Sequence, residues 1–118
     1  MPHPHIFAKK TPDKPAIIMA GSGETVSYAE LDARSNQYAQ FFRSLGLVSG
    51  DTVALCLENR REYFEIIWGA QRSGLIYVSI SCRLTASEID YILEDSGARL
   101  LIASDYLGPV LDGLKADV

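Results

Sequence analysis

Histidine is almost missing from this sequence: both residues of this type, His3 and His5, lie among the first five positions. A serine or cysteine nucleophile in the rest of the chain therefore has no imidazole close to it in sequence to act as its base. The pair could contact a metal ion, but a stable metal site needs three or four converging ligands. We therefore interpret His3 and His5 as two imidazoles of a loose, solvated tail.

The sequence also lacks an excess of positive charge and any long apolar run. With 11 Lys and Arg against 15 Asp and Glu, the net charge is -4, which argues against nucleic acid or an anionic membrane surface as a partner. No apolar run approaches the ~18 residues of a membrane-spanning helix, and residues 1–10 lack the apolar stretch of a secretory signal. We expect a cytoplasmic protein without a transmembrane segment.

Cysteine is scarce, and the glycine pair near the N-terminus is incomplete as a phosphate loop. Cys56 and Cys82 have no CxxC spacing, so we predict buried, reduced thiols. A dinucleotide fingerprint that began at Gly21 would need a third glycine at position 26, where valine stands, and a helix opening from the loop. The segment 21–23 is therefore predicted to be the turn of a β-hairpin.

Proline is concentrated at the N-terminus, where residues 1–15 hold four of the five prolines and three lysines. This composition predicts an extended lead-in over 1–15. The 118 residues, 47% of them hydrophobic, suit one globular domain, which we place at 16–118.

Local signals divide the remainder into alternating helices and strands. Capping boxes at Ser27 with Glu30 and at Thr85 with Glu88 predict the starts of helices over 28–45 and from Ala86 to Gly97. A third helix is predicted over 60–73, capped by Asn59 and ended by Gly74, and a last one lies near 110–114. Short apolar runs predict strands at 53–57, 76–80 and 100–103.

Buried strands that alternate with amphipathic helices indicate the α/β class. We predict a β-hairpin followed by a βαβαβ parallel sheet that helices cover. Ligands approach such sheets at the carboxyl ends of the strands, here near Glu58–Asn59, Ser81–Arg83 and Ser104–Asp105. None of these segments forms a recognisable catalytic set.

Charged and aromatic side chains offer further candidates, each with a plainer structural interpretation. Three arginines could meet a phosphate, although two of them also suit an exposed helix start: Arg60, Arg61 and Arg83. Five carboxylates match exposed helix faces and ends, where solvated charge is the preferred account: Glu58, Glu62, Glu65, Glu94 and Asp95. Three aromatics could line an apolar pocket, although their spacing favours packing on the sheet: Tyr63, Phe64 and Trp68.

Four segments in fixed order carry a more specific signal. These are VSYAELD at 26–32, GDTVAL at 50–55, ENRREYFE at 58–65 and LTASEIDYILEDSGARLLI at 84–102. In this order and spacing the chain resembles the start of adenylate-forming enzymes, most closely bacterial fatty-acyl-CoA synthetases. It departs from the resemblance at VSISC, 78–82, where relatives commonly have proline and asparagine.

The resemblance implies that this chain is the N-terminal subdomain of a longer ligase. Such a parent would use ATP and Mg²⁺ to convert a fatty or other carboxylic acid into an acyl adenylate, and would then pass the acyl group to coenzyme A. The family's phosphate loop and catalytic lysine belong to later segments, so no catalytic, cofactor-binding or metal-binding residue is assigned here. The piece alone is expected to be inactive, to bind none of these cofactors tightly and to self-associate.

Two alternatives stay open at the level of sequence. The chain could begin an adenylation domain that loads a carrier protein instead of coenzyme A. It could instead be a self-sufficient binding module of flavodoxin-like layout, which would be a stable monomer.

Overall fold

The computed structural model describes residues 3–118, and the chain in it divides into two units. The first unit comprises the described residues up to Gly46 together with Asn59–Ser73. The second comprises Leu47–Glu58 and Gly74–Val118. The chain thus crosses between the units more than once, and each unit is built from separate stretches of sequence.

A short helix occupies much of the predicted lead-in. Helix α1 spans Pro4–Lys10, so the prediction of an extended segment over 1–15 is wrong for these residues; residues 1 and 2 lie outside the described part. Proline is favourable in the first turn of a helix, where its missing N–H costs no hydrogen bond. The side chain of His3 accepts a hydrogen bond from the amide of His5 at 3.1 Å and so caps this helix.

The glycine pair forms the predicted turn. Strands β1 (Pro15–Ile18) and β2 (Thr25–Ser27) pair antiparallel. The turn between them closes through the amide of Gly23, which donates to the carbonyl of Met19 at 2.8 Å. Gly23 has a φ of +74°, a conformation that glycine adopts without steric cost. The loop leads into a strand and therefore has no helix N-terminus to hold a phosphate.

Two long helices complete the first unit. Helix α2 spans Tyr28–Ser44 and begins with the predicted capping box, and helix α3 spans Arg61–Arg72. The N-cap of α3 is Arg60, without a side-chain hydrogen bond, so the prediction of Asn59 as its cap is wrong. The two helices pack against each other, and Gly69 of α3 lies directly against Ser35 and Tyr38 of α2.

The second unit contains the predicted parallel sheet. Its strands are β3 (Thr52–Cys56), β4 (Ile76–Ser79) and β5 (Leu100–Ala103), in the order β4-β3-β5. All five residues of β3 are buried, whereas β4 is largely exposed and β5 half-buried. The prediction of fully buried strands holds for β3 alone, because β4 and β5 each have a neighbour on one side only.

Helix α4 supplies the core of the second unit. It spans Ala86–Ser96, starts with the Thr85 and Glu88 capping box and stops at Gly97, which has a φ of +68°. Ile89 and Leu93 of this helix pack against Ala54 and Cys56 of β3. A 3₁₀ turn, Asp105–Leu107, and helix α5, Gly108–Asp112, follow β5. Within residues 3–118, none of the helices is both long enough and apolar enough to cross a bilayer.

Candidate functional site

The three parallel strands of the second unit end together, with Cys56, Ser79 and Ala103 as their last residues. Beyond β5 the chain stays next to β3, because the amide of Ser104 donates a hydrogen bond to the carbonyl of Cys56 at 3.2 Å. Ser104 is buried at this point. The segments predicted for this edge follow these strand ends: Glu58, 81–83 and 104–105.

Two thiols and a phenol lie at this edge of the sheet. The Cys56 thiol donates a hydrogen bond to the carbonyl of Ser81 at 3.8 Å, and Cys82, the next residue, packs against the buried cluster that contains Cys56. Tyr106 in turn is hydrogen-bonded to Cys82. Burial, with Cys82 beside it, raises the pKa of the Cys56 thiol to about 11, and the hydrogen bond to Cys82 raises the pKa of Tyr106. Both groups are therefore protonated at neutral pH.

Two of the arginines considered as phosphate ligands contact carboxylates instead. Arg61 Nε lies 3.1 Å from Glu24 Oε1 and 3.4 Å from Glu62 Oε1, and Arg60 Nε lies 3.3 Å from Glu62 Oε2. Both arginines belong to the first unit, whereas Arg83 belongs to the second and is exposed. These contacts neutralise the charge that an anion would need.

A cleft of about 570 Å³ in the first unit contains a carboxylate that was predicted to lie on a solvated helix face. Glu65 is only 3% exposed, so that prediction is wrong. Its Oε1 lies 3.9 Å from Arg34 Nε, while its Oε2 and Arg34 Nη1 are buried without a hydrogen-bond partner. The lining residues are Arg34, Gln37, Tyr38, Phe41, Arg61, Glu62 and Glu65.

Burial and the neighbouring charges shift the pKa of Glu65 in this cleft in opposite directions. Burial raises the pKa of Glu65, and the neighbouring Arg34 and Arg61 act in the lowering direction. Burial also raises the pKa of Tyr38, and the Glu65 carboxylate adds to this shift. The buried pair of unsatisfied atoms, one donor and one acceptor, marks a place where a polar group or water would be favourably bound. In the sequence, the residue that could have indicated the burial of Glu65 is Gly69, one helical turn later. A glycine at that position lets a second helix pack closely against this face of α3.

The aromatic residues of α3 line apolar clefts of the first unit. A cleft of about 450 Å³ is bounded by Phe64 and Trp68 together with α1 and the hairpin, and one of about 350 Å³ by Tyr63 and Phe64. Phe64 is 49% exposed. The interpretation of these side chains as inward packing is therefore wrong for Phe64, and the alternative of a pocket lining describes their position better.

The N-terminal histidines are held in place rather than loose. The His3 ring meets Trp68 edge to face, with 4.9 Å between ring centroids, and His5 Nδ1 lies 3.5 Å from Asp32 Oδ1. Burial lowers the pKa of His3, and the Arg72 charge lowers it further. Within residues 3–118, no group of three or more His, Cys, Asp or Glu side chains is arranged to hold a metal ion. The prediction of a loose tail is wrong.

Similarity to known proteins extends over nearly the whole chain. Residues 5–117 match the family described as AMP-binding enzyme. This chain belongs to that family. Its fold agrees, because it superimposes on a Mycobacterium tuberculosis fatty acyl CoA synthetase with a TM-score of 0.90 and 31% identity, covering 98% of this chain and 23% of that one. The resemblance to adenylate-forming enzymes is thereby confirmed.

Two curated relatives of this chain differ in the acceptor that their names specify. A fatty acid–[acyl-carrier-protein] ligase, ScoC of Streptomyces coeruleorubidus, is 38% identical over 109 residues, which are 92% of this chain and 21% of that protein. The long-chain-fatty-acid–CoA ligase FadD13 of Mycobacterium tuberculosis is 33% identical over 92% of this chain and 22% of its own length. The chain thus spans about a fifth of the length of these relatives.

Proposed function

We propose that this chain is the N-terminal subdomain, over 16–118, of an ATP-dependent fatty-acyl-CoA synthetase. The observation that carries the proposal is the match to the AMP-binding family over residues 5–117, together with the TM-score of 0.90 to a fatty acyl CoA synthetase. The whole enzyme would join a fatty acid to the α-phosphorus of ATP, release pyrophosphate and transfer the acyl group to the thiol of coenzyme A.

Two features considered as phosphate ligands make other contacts. The loop around Gly23 closes a hairpin and leads into β2, and Arg60 and Arg61 contact glutamates. We therefore assign no step of the reaction to residues of this chain. Their proposed contribution is structural: the sheet and helices form part of the scaffold that carries the later catalytic segments.

A carrier protein is the second candidate acceptor, favoured by the 38% identity to an acyl-carrier-protein ligase. Both acceptors present a thiol to the same kind of acyl adenylate, so the first half-reaction does not separate them. We expect the acceptor to be decided by residues outside this chain. Localisation in the cytoplasm belongs to the same proposal.

The experiment begins with the reading frame that continues after the codon for Val118. If the frame continues, the encoded protein is assayed for pyrophosphate exchange with ATP and a series of fatty acids, with the 118-residue chain as control. We expect exchange with the long protein and none with the control. Exchange at comparable rates by the control would overturn the assignment of a scaffolding piece.

The second half-reaction then separates the acceptors. Acyl adenylate is formed first, and either coenzyme A or a phosphopantetheinylated carrier protein is added in a parallel reaction. Formation of acyl-CoA supports the proposed synthetase, and exclusive loading of the carrier protein supports the alternative. If the long protein shows no exchange with any fatty acid, the substrate class is wrong even though family membership stands.

A further inference from the structure

Two cysteines lie next to each other at the carboxyl edge of the sheet, although they are distant in sequence. Cys56 is the last residue of β3 and is fully buried, whereas Cys82 is partly exposed. The pairing of β4 with β3 brings them together, because the amide of Ile80 donates to the carbonyl of Leu55 at 2.7 Å. The carbonyl oxygen of the next residue, Ser81, accepts a hydrogen bond from the Cys56 thiol at 3.8 Å.

The chain at Cys82 has left the strand and is free of the sheet's hydrogen-bond ladder. Strand β4 ends at Ser79, and the amide of Leu84 donates to the carbonyl of Ser81 at 3.4 Å, which places Cys82 inside a turn. A residue in a turn can shift its backbone more easily than one in a central strand. Cys82 is among the side chains that pack against the buried cluster containing Cys56, so a movement of the turn would bring the two sulfurs to bonding distance.

We propose that Cys82 and Cys56 form a two-cysteine oxidation site, in which a hydroperoxide oxidises Cys82 and Cys56 then closes a disulfide with it. Accessibility sets this order. Cys82 is the partly exposed thiol, and its neighbour Tyr106 is 60% exposed, so a small oxidant reaches Cys82 from solvent. Cys56 is covered on all sides and reacts only with a group that is already inside the fold.

The chemistry balances in two steps. The Cys82 thiolate attacks one oxygen of the hydroperoxide, the O–O bond breaks, and the sulfur loses two electrons to become a sulfenic acid while hydroxide or alkoxide leaves. The Cys56 sulfur then attacks the Cys82 sulfur. The S–S bond forms, the S–O bond breaks, and the departing hydroxide takes the proton of Cys56 to give water. A dithiol reductant restores both thiols.

This role is independent of the ligase proposal. The burial that raises the pKa of Cys56 supports its assignment as the resolving thiol, because it discourages direct ionisation and attack on the oxidant. A closed bond would also tie the turn at Cys82 to β3.

Peptide mapping of the native-length protein tests the proposal. The protein is treated with hydrogen peroxide, quenched with catalase, alkylated with N-ethylmaleimide in denaturant and digested with trypsin without reduction. Cleavage after Arg43, Arg60, Arg72 and Arg83 places the two cysteines in peptides 44–60 and 73–83. We expect these two peptides to appear linked, two hydrogen masses below their sum, and to separate after treatment with dithiothreitol.

Two variants distinguish the roles of the thiols. In Cys56→Ala we expect Cys82 to accumulate as a sulfenic acid that dimedone traps, and in Cys82→Ser we expect Cys56 to remain a thiol after the same exposure. Circular dichroism checks that each variant is folded. If a variant does not fold, the tryptic peptide map of the oxidised wild-type protein still tests the proposal. Full alkylation of both wild-type peptides, or a link between two copies of 73–83, would overturn the proposal.

Discussion

Arg72 on α3 holds Asp32 on α2 through both its charge and its hydrogen bonds. Its Nη2 donates to Asp32 Oδ1 at 3.1 Å, and its Nη1 donates to the Asp32 carbonyl at 2.9 Å and to Ser35 Oγ at 3.1 Å. The planar guanidinium thus reaches backbone and side chain of α2 at once, a geometry that lysine cannot reproduce. This contact fixes α3 against α2 near its C-terminal end.

Removing the Arg72 guanidinium is expected to destabilise the first unit. Arg72→Ala should lower the free energy of unfolding by about 1.5–3 kcal/mol, the usual range for hydrogen bonds that involve a charged group. Arg72→Lys should recover less than half of the loss. Urea denaturation followed by circular dichroism measures both variants, and equal stability of lysine and arginine would show that charge alone matters.

A methyl group at Gly69 is expected to force α2 and α3 apart. A Cβ there would lie 2.7 Å from Tyr38 Cβ and 2.8 Å from the Ser35 carbonyl oxygen. Although alanine favours a helix over glycine, Gly69→Ala should cost about 1–3 kcal/mol of unfolding free energy through overpacking. Gly21→Ala is the control, because no atom lies within 4 Å of the position that a Cβ would take there. Thermal unfolding compares the two variants with wild type. A stabilised Gly69→Ala variant would contradict the close approach.

The capping box at the start of α4 is expected to contribute measurably to the second unit. The Glu88 amide donates to Thr85 Oγ1 at 3.4 Å, and the Glu88 carboxylate accepts from the Thr85 amide at 3.1 Å. Thr85→Ala removes the first of these bonds and should cost about 1 kcal/mol. Thr85→Ser keeps the hydroxyl and should stay within a few tenths of wild type. Chemical denaturation that finds both variants alike would exclude this role.

Buried Glu65 should make stability fall as pH rises. Because its pKa is raised in the folded protein, folding favours the protonated carboxyl: the full stability is present below its unfolded pKa of about 4.5 and is lost as the pH rises through the higher folded value. Glu65→Gln removes this dependence. The unfolding free energy of the variant minus that of wild type should therefore rise as the pH increases from about 4.5 to the folded pKa of Glu65, and should then level off.

Unfolding free energies measured from pH 4 to 8 test this difference. Glu94→Gln changes an exposed glutamate on α4 and serves as the control for the general effect of removing one negative charge. A constant difference between Glu65→Gln and wild type over the interval would mean that the arginines offset the burial of Glu65 completely.

The exposed edge of the sheet is expected to make the 118-residue chain associate. Ile76 and Tyr77 of the edge strand β4 are 54% and 42% exposed, and such edges pair readily with another chain. Tyr77→Lys should reduce the mass measured by light scattering at high concentration. Tyr91→Lys, at an exposed position of α4, is the matched control. A wild-type chain that remains monomeric throughout would contradict this prediction.

Local sequence signals determined most of the helices and strands. The capping residues Ser27 and Thr85, the stops at Gly74 and Gly97, and the short apolar runs predicted helices and strands within about a residue or two of their observed bounds. These signals act between neighbours in sequence, so no knowledge of the remaining fold was needed. The order of the motifs likewise indicated the family without any structure.

Tertiary packing decided which side of each element is buried. Helical periodicity allowed either the face with Phe64 or the face with Glu65 to turn inward on α3, and hydrophobicity favoured Phe64. The structure buries Glu65 because Gly69 lets α2 come close on that face and Arg34 offsets the carboxylate charge. A helix's own sequence sets its periodicity, but the shape and charge of its partner determine which face becomes the interior.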